Sequence, residues 1–174
     1  MSRPDKRFAE AVLPHLDAAY NLARWIMRDN LEAEDVVQEA CLRALRFIGG
    51  FRGGDGRLWL LKIVRNTCYS RLAASRKRNQ DSEFDDDLQL PTAPTADPEA
   101  LLLRSRDAAA INRALEELPT EFREAIVLRE LEGLSYKEIA DIVGVPLGTV
   151  MSRLARARRR MRQALGGKPS EARQ

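Results

Sequence analysis

Apolar residues along this 174-residue chain recur at intervals of three and four, and sustained alternation is absent. That periodicity belongs to amphipathic helices and leaves no segment suited to a half-buried strand. The expectation is an all-α chain. From Phe8 the series Val12, Leu16, Ala19, Ala23 and Ile26 marks a first helical arm, with Pro14 placed to kink it. "NLEAEDVVQEACLRALRFI" follows, with Asn30 as its cap and acids in the first turn, where the positive helix end favours them. Its apolar stripe is Val36, Ala40 and Ala44, with Val37, Cys41 and Ile48 beside it. The glycine-rich "GGFRGGDG" interrupts the pattern. "RLWLLKIVRNTCYSRLAASRKR" then resumes it, with Trp59, Ile63 and Tyr69 apolar and Lys62, Arg65, Arg71, Arg76, Lys77 and Arg78 basic.

Residues 79–98, "NQDSEFDDDLQLPTAPTADP", combine acids, three prolines and small polar side chains. Such a segment is too polar and proline-rich to bury a core, so it reads as an acidic flexible linker. Beyond it, "EALLLRSRDAAAINRALEEL" is one helix, and "PTEFREAIVLRELEG" is another, with proline near its start and Gly133 at its end. The chain therefore divides into two small helical domains, 1–78 and 99–166, followed by a disordered tail at 167–174. Each is short for independent folding but feasible as a helical bundle.

Charge is segregated. Between Ile142 and Ser170 there is no acid, while Arg153, Arg156, Arg158, Arg159, Arg160, Arg162 and Lys168 are basic. Residues 79–100 hold seven acids and no base. Although the net charge is only +3, this layout points to a polyanion-facing surface at one end. Cys41 and Cys68 make no disulfide framework and read as buried free thiols. His15, the sole histidine, reads as a surface imidazole without the neighbours a zinc site needs. No metal or cofactor is expected. No stretch approaches the roughly 20 apolar residues that span a bilayer, so the expected protein is soluble and cytoplasmic, without membrane insertion.

The most specific local signal is "LSYKEIADIVGVPLGTVMSRLARARRR", residues 134–160. Ser135 and Glu138 have capping-box spacing, and Ile139, Ala140 and Val143 form the inner stripe of a short helix. Gly144 stands where a left-handed turn residue is wanted, and Pro146 suits a first helical turn. A second helix runs from about Leu147, with Val150, Leu154, Ala157, Met161 and Leu165 at spacings of four, three, four and four. This is the pattern of a helix-turn-helix, whose second helix enters the major groove. Thr149, Ser152, Arg153, Arg156 and Arg160 point away from its apolar stripe. Arginine can donate twice to guanine, worth about 1–3 kcal/mol of discrimination per good pair. Thr149, Ser152, Arg153 and Arg156 are the expected base readers. Arg158, Arg159 and Arg160 are expected on phosphates, which add affinity without sequence information. The plainer alternative is a solvated basic face on a structural helix.

Taken together, "AEDVVQEACLRAL", "FRGG…WLLKIVRNTCYSRL" and "LEELPTEFREAIVLRELEGLSYKEIADIVGVPLGTVMSRLARAR" resemble, in order and spacing, the extracytoplasmic-function sigma factors of bacterial RNA polymerase. The resemblance covers residues 8–78 and 99–165. It implies an N-terminal domain that binds core polymerase and the promoter −10 element, and a C-terminal domain that binds the −35 element. Asp35, Gln38, Glu39, Leu42 and Arg43 would face the polymerase, principally its largest subunit, with the second-largest also a partner. Lys62, Arg65, Asn66, Arg71, Arg76 and Lys77 would meet the −10 element. In this family the segment around "IVRNTC" turns between two helices and holds a flipped base, which places Asn66 on a base edge; otherwise Asn66 caps a helix starting at Thr67. An anti-sigma factor is a further implied partner, able to hold the protein near the membrane, and the implied setting is an envelope or stress response.

Two departures stand out. The "RGGDGRL" loop lacks an aromatic residue common in the family and is about one residue shorter. Met151 and Ala155 occupy positions where many relatives carry arginine and a bulky side chain, so the preferred −35 sequence is expected to differ. Two rival functions are a stand-alone helix-turn-helix regulator and a recombinase-like enzyme. The latter needs a nucleophile among arginines or a metal-binding carboxylate cluster, whereas Ser70 is alone and the acids at 32–39 follow a capping pattern.

Overall fold

The computed structural model describes residues 2–81 and 105–166. The expected linker beyond Asp81, residues 99–104 and the tail at 167–174 lie outside them. Among the described residues there is no strand, and the chain divides into two compact helical units.

The N-terminal unit contains α1 (Arg3–Ala11), α2 (Leu16–Met27), α3 (Asn30–Phe47) and α4 (Gly56–Asp81). A capping box starts α1: the Asp5 amide donates to the Ser2 hydroxyl at 3.4 Å, and the Ser2 amide donates to the Asp5 carboxylate at 2.9 Å. The kink expected at Pro14 is a full break, a 3₁₀ turn over Leu13–His15 that separates α1 from α2. Proline removes an amide donor and disfavours helical backbone in the residue before it, so the turn tightens instead of continuing. Arg28 ends α2 in a left-handed conformation, φ 61°.

The cap of α3 is Asp29 and not Asn30. Asp29 holds extended backbone and its carboxylate accepts the Glu32 amide at 2.9 Å. Asn30 is the first helical residue, and its amide oxygen accepts from Arg24 Nε at 3.0 Å. The expected stripe Val36, Ala40 and Ala44 is buried, together with Ala33; of the residues expected beside it Ile48 is buried, while Val37 and Cys41, the latter expected as a buried thiol, are half-buried. Alanines on this face leave room for α2 and α4 to approach closely.

Two expectations for α4 are overturned. First, its buried side is Leu60, Leu61, Val64, Thr67 and Cys68, while Trp59, Ile63 and Tyr69 are only half-buried. Thr67 can be buried because its hydroxyl donates to the Ile63 carbonyl at 2.7 Å. Second, no turn interrupts "IVRNTC". The helix is continuous from Gly56 to Asp81, so Asn66 caps nothing and stands exposed on its side. Nothing between Ile63 and Cys68 breaks a helix, and the apolar register runs through the segment.

What does begin α4 is Asp55, whose carboxylate accepts the Arg57 amide at 2.9 Å and the Leu58 amide at 3.3 Å. The preceding loop is held by a hydrogen bond from the Arg7 guanidinium to the Phe51 carbonyl and by Phe51 against Trp59, ring centroids 4.9 Å apart. Gly56 must be glycine here, since a Cβ would lie 2.2 Å from the Ala11 carbonyl oxygen.

The C-terminal unit contains α5 (Ser105–Glu117), α6 (Thr120–Ile126), a π-helical extension (Val127–Leu131), α7 (Tyr136–Val143) and α8 (Leu147–Ala164). Pro119 and Pro146 sit at the cap positions of α6 and α8, one residue earlier than a first-turn proline. Buried Arg123 satisfies the end of α5 by donating to the carbonyls of Glu116 at 3.2 Å and Leu118 at 3.0 Å. The Ser135 hydroxyl accepts the Glu138 amide at 3.1 Å, the hydroxyl half of the expected capping box. Gly144 holds φ of 74°, the left-handed turn expected there, and Gly133, expected at its helix end, holds φ of 66°. Val150, Leu154 and Ala157 are buried where α8 packs on α6. That stripe fades at half-buried Met161 and ends at Leu165, 47% exposed.

Candidate nucleic-acid and partner interfaces

The turn at Gly144 fixes where α8 begins, and the buried Val150–Leu154–Ala157 stripe fixes which side faces out. Its most exposed line carries Gly148, Met151, Ser152, Ala155, Arg156 and Arg159. The four expected base readers do not share one environment. Ser152 and Arg156 are exposed on that crest, whereas Thr149 and Arg153 are half-buried at one flank. There Arg153 lies 3.8 Å from the Glu121 carboxylate, and Arg160 stacks over the Phe122 ring at 5.2 Å.

The expected phosphate set is split as well. Arg159 and Arg160 are exposed, but Arg158 turns to the opposite flank. It donates to the Glu130 carboxylate at 2.9 Å and to the Tyr136 hydroxyl at 3.5 Å. The hydrogen bond from Arg158, helped by its positive charge, draws the Tyr136 phenol below its ordinary pKa. Helical geometry sends residues 158 and 159 about 100° apart, which a run of arginines conceals.

On α3, Asp35 and Gln38 are exposed, Glu39 and Arg43 are half-buried and joined at 2.6 Å, and Leu42 is 68% exposed. Leu31 and Leu45, not singled out from sequence, are 73% and 42% exposed. Spacings of eleven and three residues put Leu31, Leu42 and Leu45 on one outward face. That periodicity was legible in the sequence. A leucine stripe facing outward between acids is an apolar surface of the kind partners cover. Cys41, half-buried beside it, has its thiol pKa pushed up by burial, which leaves little reactive thiolate.

The −10 candidates on α4 also separate. Lys62, Asn66, Arg76 and Lys77 are exposed on its outer side, with Arg65 packed over the Tyr69 ring at 3.8 Å. Arg71 lies on the other side. Its guanidinium is 2.9 Å from Glu32, 3.4 Å from Glu39 and 3.8 Å from Asp35, all on α3. The structure thus places Arg71 with the acids of the candidate polymerase face.

Residues 11–78 match the family described as sigma-70 region 2, and residues 108–161 match sigma-70 region 4. The chain is 37% identical over 175 residues to the RNA polymerase sigma-H factor of Pseudomonas aeruginosa, covering 95% of this chain and 90% of that one. This chain belongs to the extracytoplasmic-function sigma factors. It is also 40% identical over 134 residues to the sigma-E factor of Escherichia coli, across 73% of this chain and 70% of that protein. Among solved structures, this sigma factor is similar to RpoE of Bartonella quintana in complex with the anti-sigma factor NepR, with a TM-score of 0.74 and 31% identity over 92% of this chain and 98% of that one. A second similar structure is CnrH bound to the cytosolic domain of CnrY, TM-score 0.62 and 25% identity, covering 91% of this chain and 87% of that chain. The two-domain all-α organisation is therefore that of a sigma factor. Among the described residues no helix is long and apolar enough to cross a membrane.

Proposed function

We propose that this sigma factor docks on core RNA polymerase through the outer face of α3, reads the −10 element with α4 and reads the −35 element with α8. The observation that carries the proposal is the pairing, on one chain, of an outward leucine stripe on α3 with an acid-free exposed crest on α8. Leu31, Leu42 and Leu45, with Asp35 and Gln38, form the polymerase surface. Its partner on this reading is principally the largest polymerase subunit, with the second-largest also a partner. Lys62, Asn66, Arg76 and Lys77 follow the −10 strand, Arg65 and Tyr69 supporting them from the flank. Asn66 approaches a base edge from the side of a continuous helix, donating and accepting with its amide.

The work done is recognition, without covalent chemistry. Arg156 and Ser152 offer donors to base edges in the major groove, and Arg159 with Arg160 neutralises phosphates. Charges along α8 steer the duplex from a distance, and the acids at 79–98 keep the linker soluble. The units of this division of labour are the N-terminal domain, whose α4 runs to Asp81 and so three residues into the segment expected as linker, and the C-terminal domain expected at 99–166. The complexes of RpoE with the anti-sigma factor NepR and of CnrH with the cytosolic domain of CnrY support control by an anti-sigma factor and a cytoplasmic location.

Run-off transcription with purified core polymerase tests the proposal. Added protein is expected to confer initiation at specific promoters. Tight specific DNA binding by the protein alone, with no gain in promoter selectivity by core polymerase, would instead identify a stand-alone regulator.

A further inference from the structure

The exposed crest of α8 is not uniformly polar. Met151 is 50% exposed and lies there with Ser152, Ala155 and Arg156. Both flanks are engaged within the unit, one through Arg153–Glu121 and Arg160–Phe122, the other through Arg158–Glu130. Whatever enters a groove first is therefore the crest. Gly148 lies one turn before Ser152, and the space where its Cβ would stand is open. Ala155 follows Met151 by one turn and adds only a methyl group. Two large apolar groups of α8 remain exposed on this side, Leu147 at its first residue, 48% exposed, and Met151 one turn later; of the two, only Met151 stands beside Ser152 and Arg156 on the reading line.

An apolar side chain gains nothing from phosphates, water or the polar edges of bases. The major groove offers one apolar group, the C5 methyl of thymine. Methionine is unbranched, flexible and polarisable, so it can reach such a methyl from more than one helix setting. We infer that Met151 reads a thymine methyl in the −35 element, with Ser152 and Arg156 taking neighbouring base edges. This inference rests on α8 being the −35 reader. It makes Met151 a specificity-determining residue and moves the centre of readout from Thr149 and Arg153 to the line of Met151, Ser152 and Arg156.

The test uses the full chain assembled with core polymerase and a promoter library randomised over the −35 element above a constant −10 element. After selection, each thymine of the preferred element is replaced by deoxyuridine, which removes only the methyl. The expected result is a loss of affinity of roughly threefold to tenfold at one thymine, the scale of one buried methyl group. Met151→Ala is expected to bind the thymine duplex more weakly and to show no further loss with deoxyuridine at that position. An equal loss in both proteins, no loss at any thymine, or a selected element without thymine overturns the inference. Arg156→Ala separates the two readings. If it loses affinity while deoxyuridine is silent, only the role of Met151 fails. If it selects the same element with unchanged affinity, the −35 reading of α8 fails with it.

Discussion

The Arg71 guanidinium on α4 lies 2.9 Å from the Glu32 carboxylate on α3, and Glu39 and Asp35 approach the same group. One arginine thus ties the helix expected to read DNA to the helix expected to hold the polymerase. The members are partly exposed, so the tie is worth about 1 kcal/mol or less per pair and weakens with salt. Arg71→Ala is expected to lower the urea midpoint slightly, and less so in high salt. It is expected to spare −10 recognition; selective loss of promoter opening with an unchanged midpoint would return Arg71 to the DNA surface.

Arg156→Ala removes one of the two arginine donors on the α8 crest, the one beside Ser152. Expected is a loss of about 1–3 kcal/mol in −35-dependent initiation, with core binding unchanged. Competition binding to core polymerase beside run-off transcription separates these effects, and a loss of core binding would mark Arg156 as structural.

Leu42→Asp places a charge at the centre of the outward stripe of α3, where the side chain is 68% exposed. The fold is expected to be retained by circular dichroism, while affinity for core polymerase falls at least tenfold, as for a central apolar contact. Unchanged affinity would remove this face from the polymerase interface.

Asp29→Ala and Asn30→Ala test which residue starts α3. Loss of the cap is expected to cost about 1 kcal/mol in Asp29→Ala and clearly less in Asn30→Ala, measured by thermal or urea unfolding. The reverse order would restore Asn30 as the cap.

Gly56→Ala forces a methyl group against the Ala11 carbonyl, 2.2 Å away, and backbone cannot yield as a side chain can. A loss of about 1–3 kcal/mol is expected, whereas Gly49→Ala, with open space around it, is expected to be nearly neutral.

The helix-turn-helix was legible because its determinants are local. Gly133, Ser135 and Gly144 each act within a turn or two of their own position, and apolar spacing reports which side is inward. The same logic explains where the reading failed. Asn30 and Asp29 are both good caps, and only the backbone bend after Arg28 chose between them. Asn66 followed a family habit of turning at its position, but no glycine, proline or break in apolar register obliged this helix to turn. On α4 Trp59, Ile63 and Tyr69 mark the apolar pattern, yet smaller Leu60 and Val64 hold the register that α2 and α3 cover.

By itself the sequence determined the all-α class, the helix-turn-helix and the acid-free basic stretch, because periodicity, caps and charge runs act over neighbouring residues. Tertiary structure alone decided which arginines remain available. Arg71 meets Glu32 across 39 positions, and Arg158 meets Glu130 across 28. Side chains that far apart in the chain have no shared local signal. Their pairing depends on which helix faces pack, and that packing left Arg156 and Met151 outward while it turned Arg153 and Arg158 aside.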